Sequence, residues 1–184
     1  MTLRNLLQEK KVAIVQRWLE EALATHGKDT AAFFNRSKDQ FANPIGHAMR
    51  VGAQAVFENL LEGMEPDRIC QHLEGIIKIR AVQDFSPSQA VSFIFLLKKV
   101  VRAELGKEAL DSRRSVELTE FDAEVDQLAL FAFDIFTRCR EQLYEVRVNE
   151  VKRSVAAIMK RFHGSPDPTP YRDRFAAKPK CTST

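Results

Sequence analysis

Ser86-Pro87-Ser88-Gln89, followed by AVSFIFLLKKVVRAEL (Ala90–Leu105), decides the fold. A serine hydroxyl at a helix start accepts from a free backbone N–H two or three residues on. Proline at the first helical position loses nothing by lacking its own N–H, and a glutamine at the third position can reach back to the cap. The run that follows is apolar on most of its circumference for three turns, which predicts a central helix contacted on several sides.

Upstream, the same punctuation recurs. Asn43-Pro44 predicts a helix that continues to about Glu62 and stops at Gly63. Pro66 opens another, carried by Ile69, Leu73, Ile76, Ile77 and Ile79 and ending near Asp84. A first helix is expected from about Thr2 to Ala24, with Leu3, Leu7, Ile14 and Trp18 near one stripe. Between them, residues 25–42 read as a loop or an irregular helix pair, with Phe33, Phe34 and Phe41 pinning it to the core.

Downstream, a last helical segment is expected from about Ser115, with neither Pro nor Gly until Gly164. Val125, Leu128, Ala132, Ile135, Cys139, Leu143 and Val146 step by threes and fours. A pattern this long without a stop means one very long helix or two with a kink. Its second half projects more charge than core, so residues 148–162 are expected to extend beyond the bundle. From His163 the chain turns Pro-rich. Residues 163–184 are expected to be a disordered tail behind a helical domain at 1–162. The fold class is therefore all-α: a bundle of five or six helices with a long C-terminal one, in either parallel-bundle or crossed, globin-like packing.

Composition narrows the function. A 45% hydrophobic fraction supports a core, and a net charge of +3 is too mild to imply nucleic acid. The longest apolar run, Ala90 to Leu97, is itself broken by Ser92 and is far below the ~20 residues that span a bilayer. Cys70, Cys139 and Cys181 are far apart, odd in number and without metal-ligand spacing. That points to reduced thiols in a cytoplasmic protein.

No phosphate loop, nucleophile elbow or CxxC pair is present. His47 and His72 lack the spacing of a metal pair, and a haem would need an apolar cavity that nothing in the sequence signals. No cofactor and no catalytic set are expected, and the chain reads as a non-enzyme. Two polar sets stand out. Arg80, Gln83 and Asp84 share a helix face beside Ser86, so Arg80 and Asp84 are placed to pair. This set is either a clamp on the interhelical turn or a site for a small anion or partner side chain. Arg147, Glu150, Lys152 and Arg153 form a candidate docking surface on the late helix. A further set, Asp126, Asp134, Arg138, Arg140 and Glu141, reads as a salt-bridged outer face, with Asp134 and Arg138 four apart.

The run IRAVQDFSPSQAVSFIFLLKKVVR (Ile79–Arg102) resembles the N-terminal domain of RsbRD-type regulators. Weaker likenesses follow in the right order: IVQRWLEE, FANPIGHAM, and FDIFTRCREQLYEVRVNEVKR. The resemblance covers about residues 3 to 162. It implies a sensory or interaction module of the stressosome, acting on the kinase RsbT, normally ahead of a STAS domain; related sensory domains are non-haem, globin-like dimers. Here the chain ends at Thr184 without a STAS domain, and a stand-alone copy is expected. Some stand-alone copies resemble accessory proteins encoded beside anaerobic respiratory complexes. The resemblance implies no catalytic residues.

The expectation is thus a cytoplasmic signalling sensor or adaptor, homodimeric, binding a regulatory kinase, a STAS-type protein or a redox-complex protein. The alternative is a small-ligand module with a pocket between the 66–84, 87–105 and long helices, linked to anaerobic redox metabolism.

Overall fold

The computed structural model describes residues 2–24, 43–83, 85–106 and 112–163. Within them lie six helices: α1 Leu3–Glu9, α2 Lys11–Ala24, α3 Pro44–Glu62, α4 Pro66–Val82, α5 Pro87–Leu105 and α6 Ser112–His163. The expectations for residues 25–42, for Asp84 and for the 164–184 tail fall outside the described residues.

The helix starts follow local chemistry. Asn43 Oδ1 accepts from Gly46 N at 2.9 Å ahead of Pro44. At Ser86 both halves of the capping box form: Gln89 N donates to Ser86 Oγ at 3.3 Å, and Ser86 N donates to Gln89 Oε1 at 3.0 Å. Such a cap contributes about 1 kcal/mol. Helix α3 stops where Gly63 takes φ +112°, a left-handed conformation that costs glycine nothing.

Five helices close into a ring, α2–α3–α4–α6–α5 and back to α2, with α1 laid against α2, α3 and α6. Leu7, Ile14, Val56, Phe57, Leu73, Ile77, Ile94, Leu97, Val125 and Leu128 fill its interior and are fully buried. Burying a side chain of this kind stabilises by roughly 1.5–3 kcal/mol. Trp18 joins two of the walls. Its ring stacks on Phe93 at 5.8 Å between centroids, and its Nε1 donates to the Phe93 carbonyl at 2.7 Å. Helix α5 touches α2, α4 and α6, as a central helix should, while Phe95 marks its outward flank.

Three basic side chains close the exposed carbonyl ends of three helices, where cations are favoured by the helix dipole. Arg4 Nη1 donates to Leu60 and Leu61 at the end of α3 (2.5 and 3.0 Å). Lys10 Nζ donates to Glu104 at the end of α5 (2.8 Å), and Arg140 Nη1 to Ala81 at the end of α4 (3.1 Å). The expected single first helix is instead two, separated at Lys10. The break lets α1 lie across α3 and α6 while α2 runs along α5, and Lys10 sits at the bend with its amine on α5.

Helix α6 is the one unbroken helix among the two arrangements the pattern allowed, and it starts at Ser112 rather than Ser115. Its last buried side chain is Cys139, Leu143 is half-buried, and residues 144–161 are exposed throughout. Cys139 is a free thiol whose pKa is pushed up by burial, so it behaves as a small apolar side chain.

Candidate functional site

The α4–α5 corner separates the residues that the sequence grouped. Gln83 and Ser86 are exposed, and Ser86 is occupied as the cap of α5. Arg80 turns inward and is only 1% exposed. The cause is the neighbouring apolar wall: its guanidinium lies over the Phe93 ring at 4.2 Å and within 5.6 Å of the Phe85 ring. Cations are attracted to such ring faces by about 1–2 kcal/mol when desolvated. Nη1 donates to the Gln89 carbonyl at 3.3 Å, while Nε and Nη2 are buried without an acceptor among the described residues. Burial accordingly pulls the Arg80 pKa down to about 10. The expected Arg80–Asp84 pairing lies outside the described residues.

The second set lies on the free part of α6. Successive helix residues are about 100° apart. Arg153 and Glu150 therefore point away from the face that carries Val148, Val151 and Val155, while Arg147 and Lys152 flank that face on either side. All four docking candidates are exposed, on three sides of the rod rather than one.

The third polar set is a bundle surface. Asp126 pairs with Lys98 at 2.6 Å, and Asp122 pairs with Arg102, tying α5 to α6. Arg140 caps α4 and donates to Tyr144 Oη at 3.1 Å. Asp134 is exposed, and no ion pair joins it to Arg138 among the described residues.

A groove of about 290 Å³ opens between α2 and α3, a place the sequence did not single out. Val15, Leu19, Leu23 and Met49 line its floor, with Lys11 and Arg50 at the rim. Lys11 is held by Glu58 at 2.7 Å, a contact that keeps the Glu58 carboxyl below its usual pKa. Periodicity shows which side of a helix is apolar, but not where two apolar sides splay apart. No group of three or more metal-ligating side chains occurs among the described residues, and no described helix is long and apolar enough to cross a membrane.

A helical ring with a capped corner at Ser86 and an overlong final helix gives the frame against which relatives are compared. The model of the RsbT co-antagonist protein rsbRD N-terminal domain matches residues 12–151. The chain belongs to that family. The match takes in the capped corner, Arg80 and the first part of the free rod, with Arg147 and Glu150; Lys152 and Arg153 lie beyond it. No curated protein and no solved structure gives a significant match to this RsbRD N-terminal domain.

Proposed function

We propose that this RsbRD N-terminal domain is a non-catalytic signalling sensor or adaptor. It acts through protein–protein contact as a homodimer, with a regulatory kinase, a STAS-type protein or a redox-complex protein as partner. One observation carries the reading: α6 runs on for residues 144–161 with every side chain exposed. A helix that has left its own core gains no tertiary stabilisation there, and its remaining use is to meet something else. The family supports the regulatory class. A cytoplasmic location belongs to the same reading.

Charge reversal on the side of the rod away from its valines tests the docking claim. Full-length protein is expected to capture the same regulatory protein repeatedly from native lysate at low salt. The double variant Glu150→Lys/Arg153→Glu, with unchanged circular dichroism, should retain less than a tenth of it. Equal capture by both proteins would remove the rod from the reading, and capture of nothing in common between repeats would remove the adaptor role.

A second reading, small-ligand binding, is favoured by one feature: the two Arg80 donors without an acceptor. Small carboxylates and inorganic phosphate are the chemistry that would satisfy them.

A further inference from the structure

We infer that the groove between α2 and α3 binds a free fatty carboxylate of medium chain length, its head on Arg50 and its chain along the apolar floor. The inference goes beyond the proposed function and depends neither on the rod nor on Arg80.

The floor follows from the spacing of two stretches of sequence. On α2, Val12, Val15, Leu19 and Leu23 step by threes and fours, which sets them in one file along the helix. On α3, Gly46 and Met49 line the facing wall. Val15, Leu23 and Met49 are buried and Leu19 is half-buried, whereas Val12 is 75% exposed. The Lys11–Glu58 pair joins the start of α2 to the end of α3, so the two helices run antiparallel. Leu23 and Gly46 therefore share the opposite end of the groove. A side chain at position 46 would collide with the capping Asn43. The needs of the helix cap thus leave that end of the groove unblocked.

The rim supplies the charge. Arg4, Arg17, Arg102 and Arg140 each reach an acceptor on another helix. Arg50 is half-buried at the groove and makes no ion pair or hydrogen bond among the described residues. The other charges there are occupied, Lys11 by Glu58 at 2.7 Å and Glu20 by Gln16 at 3.0 Å. A cation without a counter-ion, set beside an apolar floor, is complementary to an anion that carries an apolar chain. A guanidinium takes a carboxylate through two parallel N–H···O bonds, which selects that head group.

Size sets the chain length. The volume of about 290 Å³ lies near the lower bound for small-molecule pockets, roughly 300 Å³. From Val15 to Leu23 the floor is about 12 Å long at about 1.5 Å per residue. An extended chain of about ten carbons matches it, each C–C bond of about 1.5 Å advancing the chain by about 1.3 Å.

Calorimetric titration of the full chain with sodium decanoate tests the site. Saturable one-to-one binding is expected. Arg50→Glu should weaken it by about tenfold or more, the worth of a hydrogen bond to a charged group. Arg50 has no partner to lose, so this variant should keep the circular dichroism of the wild type. Leu19→Trp fills the floor and should weaken binding comparably with Arg50 still in place. Decanol, the same chain without the charge, should bind about tenfold more weakly than decanoate. Absence of decanoate binding, or equal affinity in wild type and Arg50→Glu, overturns the inference. Equal affinity for decanol and decanoate overturns the pairing with Arg50. Vesicles of phosphatidylglycerol should leave the protein in the supernatant on sedimentation. Wild-type protein that pellets with them while Arg50→Glu does not would point to chains still held in a bilayer, and would overturn the free carboxylate. Glu150→Lys/Arg153→Glu and Arg80→Met should both bind decanoate as the wild type does, so failure of the groove and failure of the rod or the corner are read separately.

Discussion

Replacing Trp18 by alanine is expected to lower the stability of the bundle by about 3–5 kcal/mol. The side chain is 1% exposed and is the only tryptophan in the chain. Its loss removes a large apolar volume from the junction of α2 and α5, the stack on Phe93, and the donor to the Phe93 carbonyl. The walls on either side are themselves helices of a closed ring, so they have little freedom to collapse into the space. For a domain of this size the loss corresponds to a fall in Tm of roughly 10 °C. Trp18→Phe keeps most of the volume and loses the donor, and should cost less than half as much. Urea unfolding followed by circular dichroism measures both, since fluorescence would vanish with the substitution. A loss below about 1 kcal/mol for Trp18→Ala would contradict the packing described.

Arg80→Met is expected to do the opposite and raise stability, by about 1–2 kcal/mol. Exchanging a buried, incompletely paired charge for a well-fitting apolar side chain gains about 1–4 kcal/mol, against which stands the lost attraction to the Phe93 face, about 1–2 kcal/mol. Arg80→Ala should destabilise, because it leaves a cavity where methionine fills the volume. The pH dependence has a definite sign. The folded-state pKa, about 10, lies below the unfolded value. Between those two values the unfolded chain binds the extra proton, so wild-type stability gains with rising pH relative to Arg80→Met. The advantage of the variant is therefore full below pH ~10 and narrows above it. Equal stability of wild type and Arg80→Met at neutral pH would show that the guanidinium is not the burden described here. If inorganic phosphate or acetate raises the wild-type Tm and leaves Arg80→Met unmoved, the ligand reading gains its support.

The helix starts were legible because their chemistry is local. Asn43-Pro44 and Ser86-Pro87 each carry the capping group and the ring side by side, Pro66 carries the ring alone, and all three open helices in the fold. The continuity of α6 was half legible: the absence of Pro and Gly allowed one helix, while the alternative of a kink could be settled only by packing. The break at Lys10 was not legible: neither Pro nor Gly marks it, and the Glu104 carbonyl that Lys10 reaches lies far along the chain. Arg80 shows the same limit at the candidate site. Its spacing to Asp84 on a helix face suggested an exposed pair, yet the guanidinium follows Phe93 on the next helix into the interior. The docking residues were found by composition, but composition could not sort them around the rod.

Helix α6 carries no proline or glycine and crosses from the ring into solvent without a joint. It therefore behaves mechanically as a lever whose fulcrum is the packed segment around Leu128 and Ala132. The tip at His163 lies about 50 Å along the helix from that fulcrum, so a tilt of only about 5° there would swing it by about 4 Å. A change in side-chain packing too small to alter the outline of the ring would thus arrive at the far end enlarged.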